Sequence, residues 1–182
     1  MTRQSLLEQL DRYVASDSHE ESMRQRLRDF VASEEQCFER SLLSGHITGS
    51  AFVLDLERTH TLLHHHRRLD KWLQLGGHAD GEADVLNVAM REAREESGLT
   101  EVRPVTPEIF DIDIHAIPAR GAVPEHFHYD VRYLLEADRT HVLGITPESK
   151  AVAWVPLGGV AELTREESML RMVRKALEMF GT

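Results

Sequence analysis

Apolar residues recur at helical spacing in four stretches of the chain and form strand-like runs in five others. Leu6, Leu10 and Val14 make one stripe over residues 3–15, and Met23, Leu27, Phe30 and Val31 make a second over 19–33. Ser18 and Glu21 have the spacing of a capping box for that second helix. Residues 46–56 (HITGSAFVLDL) and 60–66 (HTLLHHH) read as strands around a turn at Glu57-Arg58. Trp72 to Leu75 then lead into a glycine loop at Gly76-Gly77. A helix over 84–97 follows, with Leu86, Ala89, Met90 and Ala93 as its apolar stripe. Gly98 takes the left-handed position that stops it. Residues 108–117 (EIFDIDIHAI) and 126–135 (HFHYDVRYLL) alternate, joined by the loop from Pro118 to Pro124, and 151–155 (AVAWV) is a further strand. Thr164 with Glu167 spells a second capping box, opening a helix to residue 179 or so whose buried side is Leu170, Val173 and Leu177. The pattern is that of an α/β protein, a mixed sheet sandwiched between helices.

Bulk properties narrow the partners. A chain of 182 residues is long enough for one domain with a substantial core. The formal charge of −10 lacks the basic footprint of a nucleic-acid or membrane-surface binder, so an anionic substrate would depend on bound cations and a few local arginines. Cys37 is the only cysteine, which fits a reducing compartment. The opening MTRQSLLEQLDRY carries charges where a signal peptide needs an apolar run, and no apolar stretch approaches the length of a membrane span. These features together lead us to expect a cytoplasmic protein.

Candidate chemistry centres on REAREESGL, residues 91–99. Positions three and four apart are neighbours on a helix, so Glu92, Glu95 and Glu96 converge. Three clustered carboxylates call for a hard divalent cation. A solvated face is the plainer account of such a run, and the flanking glycines argue against it.

Residues 77–99 resemble the Nudix box, G-x5-E-x7-R-E-U-x-E-E-x-G-U with U aliphatic. Gly77, Arg91, Glu92, Ala93, Glu95, Glu96, Gly98 and Leu99 fall in register. The glutamate expected at position 83 is Ala83; the nearest acid is Glu82, and this displacement touches the support of Arg91. The resemblance implies a Nudix-type α/β/α sandwich, with residues 1–35 as an N-terminal helical extension packed on a domain spanning 36–182. It also implies cleavage of a diphosphate linkage by water with Mg2+ or Mn2+. Glu92, Glu95 and Glu96 would be metal ligands, helped by the Gly77 carbonyl, with Gly76, Arg91 and Gly98 supporting the motif. Some family members add an acid before a Trp-bearing strand. Glu148, six residues before Trp154, matches as a further ligand or base, and is equally readable as an exposed loop acid. The base stays open among Glu92, Glu95 and Glu148.

Eleven histidines make a second argument. Strand alternation puts His126, His128, Asp130 and Arg132 on one face, too polar for a core and suited to a pocket wall. Imidazoles of this kind ligate first-row metals. His46 and His78 also resemble positions of isopentenyl diphosphate isomerases, which share the fold and bind a metal through histidines and glutamates. His126 and His128 correspond best to two acids of that family. Its catalytic cysteine would fall at Gly76, which argues against isomerase activity and leaves a His46, His78, His126, His128 metal cluster open beside a phosphate-binding role. His64-His65-His66, with Arg67 and Arg68, read as a solvated strand end or a short basic run that meets phosphate. Arg68, Arg120, Asp130 and Arg132 are further substrate contacts to look for, and Trp72 is either a base-stacking or a core aromatic.

The functional expectation is therefore a metal-dependent pyrophosphohydrolase acting on a nucleoside diphosphate derivative or related small molecule. The alternatives are a non-catalytic nucleotide-sensing module on the same scaffold and an isomerase-like enzyme. The N-terminal helices leave a homodimer open.

Overall fold

A computed structural model describes residues 2–181. Helices α1 (Arg3–Arg12) and α2 (Ser18–Ser33) precede strands β1 (Gly45–Asp55), β2 (His60–His66), β3 (Lys71–Leu73) and β4 (Leu75–His78). Helix α3 (Val85–Ser97), strands β5 (Arg103–Ile117), β6 (His126–Ala137) and β7 (Ser149–Pro156), and helices α4 (Val160–Leu163) and α5 (Glu167–Phe180) complete the chain. One seven-stranded sheet runs β3-β2-β1-β6-β5, with β4 paired to β1 and β7 to β2. Strands β1 and β6 are parallel and the other pairs antiparallel, which makes the sheet mixed as expected. No helix among the described residues is long and apolar enough to cross a membrane.

Period-two alternation sorts the strands onto two cores. Ile47, Ala51, Val53, Val131 and Tyr133 face α3 together with α1 and α2, while Phe52, Leu54, Leu63 and Leu134 face Met169, Met172, Val173 and Ala176 of α5. Sheet between helices is the α/β/α sandwich of the Nudix fold.

The structure corrects several local expectations. Helix α1 stops at Arg12, and Val14, expected in its stripe, is 84% exposed. Tyr13 has left helical geometry there, and its hydroxyl bonds to the buried Glu20. Helix α2 is capped by Asp17, whose carboxylate accepts from the Glu20 amide at 2.8 Å, so Ser18 is the first helical residue and not the cap. A carboxylate at a helix N-terminus also gains from the helix dipole. Thr164 is the C-cap of α4 and not the N-cap of α5; its hydroxyl accepts from the Glu166 amide, and α5 begins at Glu167. The buried face of α5 is Met169, Met172, Val173 and Ala176, and Leu170 and Leu177, expected on it, are half-buried. Gly76 and Gly77 lie within β4, paired with Ser50 and Gly49, and form no loop.

Candidate functional site

Helix α3 is fixed at both ends. Asp84 accepts from the Asn87 amide at 3.1 Å at its start, and Gly98 closes it at φ 74°. Val85, Leu86, Val88, Ala89 and Ala93 are buried, which fixes the rotation of the helix and sends its carboxylates to the side. Glu92, Glu95 and Glu96 line one open cleft with Thr146, Pro147 and Glu148 of the segment before β7. The three expected acids and Glu148 are thus brought together.

Their surroundings differ. Glu95 and Glu148 are exposed, whereas Glu96 is 7% exposed. One Glu96 oxygen accepts from the Gly76 amide at 2.8 Å and the other lies 3.4 Å from Nδ1 of His64. Burial pushes the Glu96 carboxyl up to about 8 against the Gly76 bond that pulls it down, and Glu92, Glu148 and Glu95 add to the rise. Burial also raises Glu92, opposed by Arg91 and reinforced by Glu95 and Glu148. An all-oxygen donor set that resists carrying its own negative charge is suited to a hard divalent cation such as Mg2+ or Mn2+.

Gly77 has a steric reason to be glycine. A Cβ there would come 2.5 Å from Cδ of Glu92, the far end of a flexible side chain. Gly77→Ala should therefore fold with a stability change of about 1 kcal/mol or less. Because it displaces the Glu92 carboxylate by roughly an ångström, it should lower turnover about 100-fold. Thermal unfolding and steady-state kinetics on the same preparation check both halves.

Glu82 does not reach Arg91. Its carboxylate turns to the Asp84 amide and Asn87 at the start of α3. Arg91 instead donates from Nη2 to the His78 carbonyl and to Glu92, both at 3.0 Å, while its buried Nε has no partner among the described residues. The support that the displaced glutamate would give is supplied in part by a backbone carbonyl of β4.

Other expected residues fall elsewhere. Asp130 and Arg132, read as substrate contacts, are each 2% exposed. Asp130 accepts from Thr48, Ser50 and Arg132, and Arg132 also pairs with Asp111. Their shared face is polar as expected, yet neighbouring strands and α5 close it off from solvent. Arg68 and Arg120 are exposed and do not line the cleft, Arg120 sitting in the β5–β6 loop. Trp72 stacks on His65 and packs against the α5 core. His64 is buried, with Nδ1 3.0 Å from Ser149 Oγ, so the solvated reading fails for this residue. Its alternation with Leu62, which faces α3, was the available signal.

His46, His78 and His128 come together from β1, β4 and β6, on side chains that alternation directs away from α3. His126 stacks on His46 with ring centroids 5.2 Å apart and bonds through Nδ1 to the Pro124 carbonyl. Burial holds His46 down at about 4 and His128 at about 2, aided by the neighbouring imidazoles, so both are neutral at pH 7.

The NUDIX domain model matches residues 46–176. Among solved structures, a C. elegans Ap4A hydrolase in a binary complex is 16% identical with a TM-score of 0.60, over 74% of this chain and 97% of that one. The E. coli dihydroneopterin triphosphate pyrophosphohydrolase is 15% identical with a TM-score of 0.56, over 71% and 92%. The NUDIX domain of Shewanella oneidensis NrtR, cocrystallised with ADP ribose, is 15% identical with a TM-score of 0.55, over 83% and 96%. At these identities the likeness is one of fold. No curated protein sequence matches the chain. The family model nevertheless takes in well over half of it, including the helix and strands that build the carboxylate cleft, and the chain belongs to the NUDIX family.

Proposed function

We propose that the protein is a metal-dependent pyrophosphohydrolase that cleaves the diphosphate bridge of a nucleotide-derived or related small molecule. The observation that carries this reading is the convergence of Glu92, Glu95, Glu96 and Glu148 on one open cleft. Names of the structural neighbours, an Ap4A hydrolase, a dihydroneopterin triphosphate pyrophosphohydrolase and an ADP-ribose complex, support the same class of substrate.

Glu92, Glu95 and Glu96 would hold the cation, with the Gly77 carbonyl beside them. A divalent ion bound there acidifies water and offsets charge on the phosphate oxygens. Water attacks one phosphorus, the bond from that phosphorus to the bridging oxygen breaks, and the bridging oxygen leaves with the other phosphate. Glu148, exposed in the same cleft, is the base we assign to take the water's proton. Arg91 holds Glu92 in place from the His78 carbonyl.

The test is product analysis over dinucleoside polyphosphates, nucleotide sugars, ADP-ribose and nucleoside triphosphates with Mg2+ or Mn2+. Turnover of at least one class is expected, with Glu148→Gln losing roughly 10²–10⁴-fold in kcat. Tight binding without product across the panel would replace the enzyme with a nucleotide-binding module.

A further inference from the structure

We infer that His46, His78 and His128 bind one first-row transition-metal ion at a site separate from the carboxylate cleft. This inference does not rest on the hydrolase reading. It starts from strand register: His46 of β1 is paired with His128 of β6, and His78 of β4 pairs with Thr48, two residues along β1 on the same face. Three imidazoles from three adjacent strands therefore meet over one patch of sheet.

Their geometry is that of ligands around a common point. One ring nitrogen from each lies within 4.8 Å of the others. Ring centroids are 5.0 Å apart for His46 and His78, 4.8 Å for His46 and His128, and 5.0 Å for His78 and His128. His46 is 3% exposed, and among the described residues neither of its ring nitrogens has a hydrogen-bond partner, nor does the buried Nε2 of His128. Buried polar atoms are almost always satisfied, and orphaned nitrogens aimed at one another mark a missing partner. Neutral imidazoles offer lone pairs, so a cation fits and an anion does not.

The donor set selects the ion. Three nitrogens with no carboxylate among them favour Zn2+, Co2+, Ni2+ or Cu2+ over the oxygen-seeking Mg2+ of the cleft. Three protein ligands leave a fourth tetrahedral position for water or another ligand. His126 and His115 border the site but are engaged elsewhere, His126 with the Pro124 carbonyl and His115 with Asp113.

Gly77 and His78 are consecutive on β4. The Gly77 Cα faces Glu92, so the His78 imidazole projects to the other side of the sheet. The His78 carbonyl is also the acceptor for Arg91. An ion on His78 would pin β4 to β1 and β6 and steady that acceptor.

The experiment is a Co2+ titration of the full chain after chelator treatment, read by visible d–d absorption, with elemental analysis for retained Zn2+. One equivalent should produce the absorption of nitrogen-coordinated Co2+, and Zn2+ but not excess Mg2+ should displace it. Paired Glu95→Gln and Glu96→Gln substitutions should leave the band in place. A His78→Ala, His128→Asn double variant, shown folded by circular dichroism, should bind more than about 100-fold more weakly, beyond the effect of losing an outer partner. No band in the parent overturns the inference whatever the variants do. A band that survives in the histidine variant, or disappears in the glutamate variant, overturns it as well. Loss of turnover in the glutamate variant alone bears only on the hydrolase.

Discussion

Glu96→Gln should abolish turnover, by more than about 100-fold, in a protein that is at least as stable as its parent without metal. The two effects come from one carboxylate. Glu96 is buried beside Glu92 and near Glu95 and Glu148, and its charge is disfavoured first by burial and then by those neighbours. The hydrogen bond that Glu96 accepts from the Gly76 amide can be accepted equally by a glutamine oxygen. Substitution therefore keeps the local geometry while removing a charge the metal-free fold does not want, which should stabilise it by on the order of 1 kcal/mol. What is lost is an anionic ligand. Mn2+ should then raise the melting temperature of the parent clearly and that of the variant little, since a ligand stabilises only the state that binds it. Kinetics and thermal unfolding with and without Mn2+ check this. Activity within a few-fold of the parent, or an equal metal response, would remove Glu96 from the site.

The box was legible because its spacing is local. Helical periodicity alone placed Leu86, Ala89 and Ala93 inward and Glu92, Glu95 and Glu96 along one edge, and the glycine at 98 fixed the end of the helix. Glu148 was reachable only by resemblance, since nothing within its own segment brings it to α3. The histidines were half legible: alternation put His126 and His128 on one face, but it took the β1–β6 and β1–β4 registers to bring in His46 and His78 as neighbours. Arg132 and Asp130 show what alternation leaves out. It groups residues on a face without saying whether that face opens to solvent, and here α5 closes it through Arg171. His64 was hidden for a similar reason, lying in a run of three identical residues of which only the first is fully covered.

The covered charges at that closure carry the second large effect. Glu20 of α2, fully buried, accepts hydrogen bonds from Tyr13, from the amide and hydroxyl of Ser16, and from Lys175 of α5. Lys175 and Arg171 also pair with Asp111, which Arg132 bonds as well. The network is the polar seam between the N-terminal helices, β5 and α5. Removing one charge from a buried pair leaves its partner uncompensated, at a cost of about 3–5 kcal/mol. Glu20→Gln should therefore lose roughly 3 kcal/mol at pH 7 in urea unfolding. The pH dependence has a definite sign. Burial opposes the Glu20 charge, but Lys175, Ser16 and Tyr13 outweigh it and hold the folded carboxyl at about 2 against an ordinary 4.5. A depressed carboxyl stabilises fully above its unfolded value and loses that contribution as pH falls through its folded one. The gap between parent and variant should thus be widest above pH 4.5 and close towards pH 2. A gap that stays constant from pH 7 to pH 3 would mean that packing of the side chain, and not its charge, ties α2 to α5.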